Sequence, residues 1–214
     1  MNRLELADAY ELMKKGVVFG FLVLILGVLF GMGAIFSPVG FAVWLAALGL
    51  ATVYPQYLIW RSFKIIHRNF QHSEYKYATY LLFFGMVAVP IVMTGAAVYI
   101  LSLIASQTAA PPPGGDPALQ LLLTFVGWLL GLVYAVFWYK VWSALEEDSG
   151  ESLFAGVAWV GVLSAFLSFW PLVSGILGIV FLILLYFASD RAEKSLERLY
   201  LSNQCGADKA QATQ

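Results

Sequence analysis

The chain has 214 residues, of which 61% are hydrophobic and only 12% are charged. Soluble domains carry about 25% charged residues, so this composition indicates an integral membrane protein surrounded by membrane lipid. It argues against nucleic-acid-binding proteins. With Cys205 as the single cysteine, it also argues against secreted domains that are held together by internal disulfides.

The N-terminal residues 1–16 mix charged and apolar side chains in the manner of an amphipathic helix. The charge-free run 17–36 follows, and it matches the roughly 20 apolar residues that cross a hydrocarbon core. No small-residue cleavage site closes this run. We therefore expect it to stay as a membrane span and not to be removed with a signal peptide.

Charge-free runs of this kind predict six membrane spans within a single domain over residues 1–202. The predicted fold is an all-α polytopic transmembrane helix bundle with short amphipathic cytoplasmic helices. The spans cover residues 17–36, 41–60, 80–104, 119–142, 153–170 and 172–188. The polar segment 203–214 is expected to be a disordered tail.

Prolines mark three of the breaks between spans, the first of them at Ser37-Pro38. The segment 111–117 contains three consecutive prolines, which supply no amide donors and so predict a loop. Within 153–188 the only divider is Trp170-Pro171. A single helix over that range would be about 54 Å long, well beyond the hydrocarbon thickness. The sequence therefore predicts a hairpin at Trp170-Pro171.

Charge is distributed on one side of the predicted bundle. All 12 Lys and Arg residues lie in the N-terminal segment, in the connections 61–76 and 140–152, or after the last span. The positive-inside rule puts these segments and both termini in the cytoplasm. Among the charged residues, only Asp116 is expected to face the outer side of the membrane. We expect a multi-pass protein in the cell membrane of a prokaryote, with aromatic belts at the interfaces that include Tyr75 and Trp142.

The two long cytoplasmic connections carry opposite charge. The first is basic, and its residues Arg61, Lys64 and Arg68 share one face of a predicted amphipathic helix. The second is acidic through Glu146, Glu147 and Asp148. Either the two connections are solvated or attract each other weakly, or one of them is a docking face for a partner protein or for anionic lipid.

Small residues at four-residue spacing let membrane helices approach closely. Three such pairs occur in the first and fourth spans, namely Gly16/Gly20, Gly27/Gly31 and Gly127/Gly131. We expect them to pack helices within one chain and not between two copies.

Small and polar residues also lie at comparable depth in several spans, where transporters often hold substrate. They are Thr52, Pro90, Gly131, Gly161, Thr94 and Ser164. They are interpreted either as a ligand layer or as residues that satisfy or kink their own helices.

Catalytic groups are scarce. Apart from Lys140, near the cytoplasmic end of the span 119–142, the predicted spans contain no histidine, acid or base, which argues against proton pumps, haem ligation and intramembrane proteolysis. The two histidines, His67 and His72, lie in the basic connection at a spacing that is poor for one metal ion. We expect no cofactor, no metal and no enzymatic activity.

The segment Ser149-Gly150-Glu151-Ser152-Leu153-Phe154, followed by a glycine-bearing apolar hairpin, resembles the C-terminal part of a mainly archaeal family of small polytopic membrane proteins. That family is known only as a domain of unknown function. The resemblance implies a compact multi-span protein and no mechanism.

These patterns favour a non-catalytic accessory or scaffold subunit of a larger membrane complex. The alternative is a small transporter or channel for a neutral solute. A third class, an interfacial lipid-modifying enzyme, would have to use His67, His72 or the acidic connection.

Overall fold

The computed structural model describes residues 3–34, 37–105, 117–168 and 170–212, and in these ranges it contains helices and no strand. Asp116 lies outside them. The seven helices are α1 (Arg3–Ala34), α2 (Pro38–Ala51), α3 (Val53–Phe70), α4 (Ser73–Ala105), α5 (Pro117–Ser149), α6 (Leu153–Phe166) and α7 (Pro171–Ala212). The all-α prediction is confirmed.

Within the ranges that the structure describes, five stretches are long and apolar enough to cross a membrane, and α2 and α3 together make one of them. The apolar helix α6 is shorter, with 14 residues. One continuous helix, α1, covers both the described part of the N-terminal amphipathic segment and the predicted span as far as Ala34. Helix α7 extends to Ala212 and so covers positions 203–212 of the segment predicted to be disordered.

The predicted span 41–60 is interrupted at Thr52, between α2 and α3. Pro55 causes the break: it has no amide to donate to the carbonyl of Ala51, and its ring crowds that carbonyl. The amide of Thr52 still bonds the carbonyl of Leu48 at 3.1 Å, and Thr52 keeps a right-handed helical backbone conformation.

The ends of the helices that carry charge gather at one end of the molecule. We call residues 3–16, 61–79, 139–153 and 189–198 the charged end. The hydrophobic core lies at or next to it, and its large buried members are Leu6, Tyr10, Met13, Phe63, Ile66, Tyr75, Trp142, Leu145 and Phe154. Burial there removes apolar area from water, which stabilises the fold by about 25 cal/mol per Å².

The apolar parts of the helices expose large side chains instead. Phe30 is 68% exposed, Phe84 is 70% exposed and Leu172 is 84% exposed. This is what a lipid-facing surface requires. The prediction of an aromatic belt is wrong for Tyr75 and Trp142. Their side chains point toward neighbouring helices and are buried in the core.

The helices form a ring in the order α1, α3, α4, α5, α6, α7, which closes where α7 packs on α1. Helix α2 lies against α4 and α1. The boundary between α4 and α5 is the loosest contact between neighbours in this ring. The end of α6 at Phe166 and the start of α7 at Pro171 confirm the hairpin expected near Trp170.

Candidate functional site

The charged end is held together by ion pairs between α1 and α7. Nζ of Lys14 lies 2.6 Å from Oε2 of Glu193 and 3.1 Å from Oδ1 of Asp190. Asp190 also accepts from Lys194 at 2.6 Å. These contacts place the start of α1 and the later part of α7 at the same end of the molecule. The sequence could not have identified them, because the partners are far apart along the chain.

A second polar cluster joins α4 to α5. The hydroxyl of Tyr75 donates to Oδ2 of Asp148 at 2.6 Å, and Nε2 of His72 lies 3.4 Å from Oδ1 of the same carboxylate. Nδ1 of His67 lies 3.1 Å from the carbonyl oxygen of His72. Asp148 therefore contacts the protein itself and is not free to dock a partner.

The other acidic residues of this connection differ in their contacts and exposure. Glu151 lies 3.7 Å from Arg191 of α7. Glu146 is half-buried and Glu147 is exposed. Of the alternatives for the two connections, a direct contact is present at Asp148, while Glu151 pairs with the C-terminal helix instead.

Arg61, Lys64 and Arg68 form an exposed line along α3, which we call the basic stripe. No ion pair involves any of the three among the residues that the structure describes. The opposite face of α3 carries Phe63 and Ile66, which are fully buried. The predicted amphipathic helix is therefore present, but its apolar face packs on protein and not on lipid.

Three of the predicted glycines lie at close helix contacts. A Cβ at Gly16 would lie 2.7 Å from Cγ1 of Ile59 and 3.1 Å from the backbone oxygen of Pro55. A Cβ at Gly27 or Gly31 would meet α2, at 2.9 Å from Leu48 and 3.0 Å from Trp44 respectively. The sequence pattern thus identified the positions on α1 at which α3 and α2 pack closely.

The other predicted glycines are less constrained. A Cβ at Gly20 would lie 3.9 Å from Pro55, and one at Gly131 would have no neighbour within 4 Å. Gly127 lies on α5. The sequence pattern missed Gly49, where a Cβ would lie 2.7 Å from Met93, because Gly49 has no small partner four residues away.

The residues predicted at mid-depth do not form one site. The hydroxyl of Thr52 donates to the carbonyl of Gly49 at 2.7 Å, and Pro90 lies against the same glycine. These residues therefore belong to the contact between α2 and α4. Thr94 is exposed on α4. Ser164 lies elsewhere, on α6.

Ser164 lines a cavity of about 750 Å³ between α5, α6 and α7, which we call the α5–α7 cavity. Helices α3 and α4 close one side of it. Its polar lining consists of Tyr134, Ser164, Ser168 and Ser174, its aromatic lining includes Trp138, Trp142 and Phe181, and Gly131 and Gly161 widen it. Apart from Gly131, Gly161 and Ser164, these residues were not predicted, since the inward face of α5 depends on tertiary packing.

The α5–α7 cavity suits a neutral ligand. Its described lining carries no charged side chain. Small-molecule sites are typically 300–1,000 Å³ and mostly apolar with a few polar groups. The hydroxyl of Ser164 donates to the carbonyl oxygen of Ser174 at 3.4 Å, which is long for such a bond. Within the described residues, no group of three or more His, Cys, Asp or Glu side chains could hold a metal ion.

The segment Ser149–Phe154, which carries the resemblance to an archaeal family, forms the turn from α5 to α6. Gly150 has φ of 68°, a left-handed conformation that favours glycine. Turn geometry thus accounts for that glycine, and the resemblance itself stays a prediction. Comparisons with family models, with curated proteins and with solved structures find no match to the chain.

Proposed function

We propose that the chain is a six-span membrane protein with both termini on the cytoplasmic side. The contacts of Lys14 with α7 support this topology, because an even number of crossings returns the chain to the side on which it began. Helix α6 would be the fifth crossing. Its 14 residues span about 21 Å, and a bilayer can thin locally around a short helix.

Its function, in this proposal, is that of a non-catalytic accessory or scaffold subunit. The observation that carries it is the basic stripe, an exposed line of cations on a helix whose other face is fixed in the aromatic core. A surface that is already rigid loses little conformational freedom on binding. A line of one charge also steers a complementary partner and fixes its register. The partner would present an acidic surface on the cytoplasmic side.

Affinity purification in a gentle detergent tests this function. The wild-type chain should recover a stable partner, and Arg61→Gln/Arg68→Gln should lose it. Lys140→Gln/Arg198→Gln removes the same charge from exposed positions outside the basic stripe and should keep the partner. Recovery of the wild type as a lone chain, under conditions that preserve known complexes, contradicts the proposal.

A second candidate function is the binding or transport of a neutral solute, and the α5–α7 cavity favours it. A cavity of this size without charge would accept a small apolar molecule with one or two hydroxyl or carbonyl groups. Flux into liposomes that contain the purified chain tests transport, and a broad panel of neutral solutes without any flux or binding counts against it.

A further inference from the structure

A groove of about 350 Å³ runs between α3 and α4, where the charged end meets the apolar part of the bundle. We call it the α3–α4 groove. Its lining comprises Trp60, Lys64 and His67 from α3 and Lys76, Thr79, Tyr80 and Phe83 from α4. It is distinct from the α5–α7 cavity.

Two cations face this groove without a counter-charge. Lys64 and Lys76 are exposed, and neither takes part in an ion pair within the described portion of the chain. Nζ of Lys64 lies 5.1 Å from the centroid of the Trp60 ring. This cation–π contact holds the ammonium group at the groove but neutralises none of its charge. An anion between the two lysines would satisfy both.

Aromatic rings continue the groove toward the apolar part of the bundle. The centroids of Trp60 and Phe83 are 6.1 Å apart, and Tyr80 and Phe83 are more than half exposed. Cations at one end and apolar rings at the other follow the order of a phospholipid, in which the phosphate is joined through glycerol to acyl chains. A soluble anion or an acidic peptide would leave the aromatic wall unused.

We propose that the α3–α4 groove binds one anionic phospholipid. Its phosphate lies between Lys64 and Lys76, and an acyl chain follows Trp60 and Phe83. Basic pockets between membrane helices on the cytoplasmic side are a known setting for anionic headgroups. The site would hold one anionic lipid against α3 and α4. It shares Lys64 with the basic stripe but needs no protein partner there.

Native mass spectrometry of the full chain tests the proposal. The protein is released from nanodiscs of phosphatidylcholine alone or mixed with phosphatidylglycerol, and the retained lipid is counted. Wild type should retain one phosphatidylglycerol in preference to phosphatidylcholine. Each interfacial lysine contributes about fivefold to binding of an anionic lipid, so Lys64→Gln/Lys76→Gln should weaken retention about 30-fold.

Two matched variants separate the groove from general surface charge. Arg61→Gln/Arg68→Gln removes two charges that neighbour Lys64 on the same helix but do not line the groove. These side chains act on the phosphate only through space, so retention should weaken clearly less than in Lys64→Gln/Lys76→Gln. Lys64→Arg/Lys76→Arg keeps both charges and should retain the lipid. If the double glutamine variant does not fold, Lys76→Gln alone should show a loss of about fivefold.

Equal loss of lipid in Arg61→Gln/Arg68→Gln and in Lys64→Gln/Lys76→Gln would overturn the proposal, since binding would then follow total charge. Displacement of the lipid by soluble glycerol phosphate would also overturn it, because the site would then recognise the phosphate alone. Partner recovery depends on Arg61 and Arg68, so failure of the lipid site and failure of the accessory function are distinguishable.

Discussion

The hydroxyl of Tyr75 donates a 2.6 Å hydrogen bond to Oδ2 of Asp148. The two residues lie on α4 and α5, the neighbours that contact each other least in the ring. This bond therefore fastens the loosest boundary of the bundle at its charged end. Farther along the same boundary, Leu82 of α4 and Tyr134 of α5 line the α5–α7 cavity.

Tyr75→Phe should lower the free energy of unfolding by about 1.5–3 kcal/mol, the contribution of a hydrogen bond to a charged group. Tyr77→Phe on the same helix is the control, because Tyr77 is 58% exposed. Denaturant unfolding in detergent measures both variants. Equal stability of the two would mean that the Tyr75 bond does not fasten α4 to α5.

Gly16→Ala should destabilise the protein by about 1–3 kcal/mol, as overpacking of a close contact does. The added methyl would meet Ile59 and the backbone of Pro55, which cannot move away easily. Gly95→Ala places the same methyl where no atom lies within 4 Å, and it should be neutral or slightly stabilising. Thermal unfolding measures the stability of both variants. A Gly16→Ala variant as stable as the wild type would contradict the close approach of α1 to α3.

Lys14→Met should destabilise the protein more than Lys15→Met. Lys14 holds two carboxylates of α7 and is only one-fifth exposed, so its loss leaves Glu193 without its partner at a half-buried position. Lys15 pairs with Glu11 on the open surface, where an ion pair contributes little. The midpoint of thermal unfolding is measured for both variants at low and at high salt. A larger effect of Lys15→Met would refute the role of Lys14 in joining α1 to α7.

Gly131→Leu should block the α5–α7 cavity without distorting α5, because nothing lies within 4 Å of the added Cβ. If the cavity binds or transports a neutral solute, binding or flux should fall at least tenfold. Gly95→Leu adds the same side chain to an exposed position on α4 and should leave solute binding unchanged. Unaltered flux in Gly131→Leu would exclude the cavity as the route.

Much of the fold could be predicted from local sequence. Apolar runs identified the helices that are long and apolar enough to cross a membrane, and the length limit on a helix identified the hairpin at Trp170-Pro171. The interruption at Thr52 was missed although Pro55 was visible, because a proline within an apolar run often only bends a membrane helix. The charge pattern separated residues 1–16 from the run 17–36, but it did not indicate whether one helix continues through Gly16.

The sites were harder to predict, because they depend on which helix faces meet. Nothing local distinguishes buried Tyr75 from exposed Tyr77, or Lys14 with two partners from Lys15 with one. The mid-depth residues divide between two regions for the same reason. Charge distribution along the chain predicted that charged segments share one side, but not that Asp148 would bind Tyr75.

The most direct test of the proposed topology uses Cys205, the only cysteine of the chain. A membrane-impermeant maleimide should label Cys205 in inverted vesicles and not in sealed right-side-out vesicles. With Cys205→Ser in the background, Asp116→Cys should react with the opposite sidedness. Labelling of Cys205 from the outside, or of both positions from the same side, would contradict six spans with both termini in the cytoplasm.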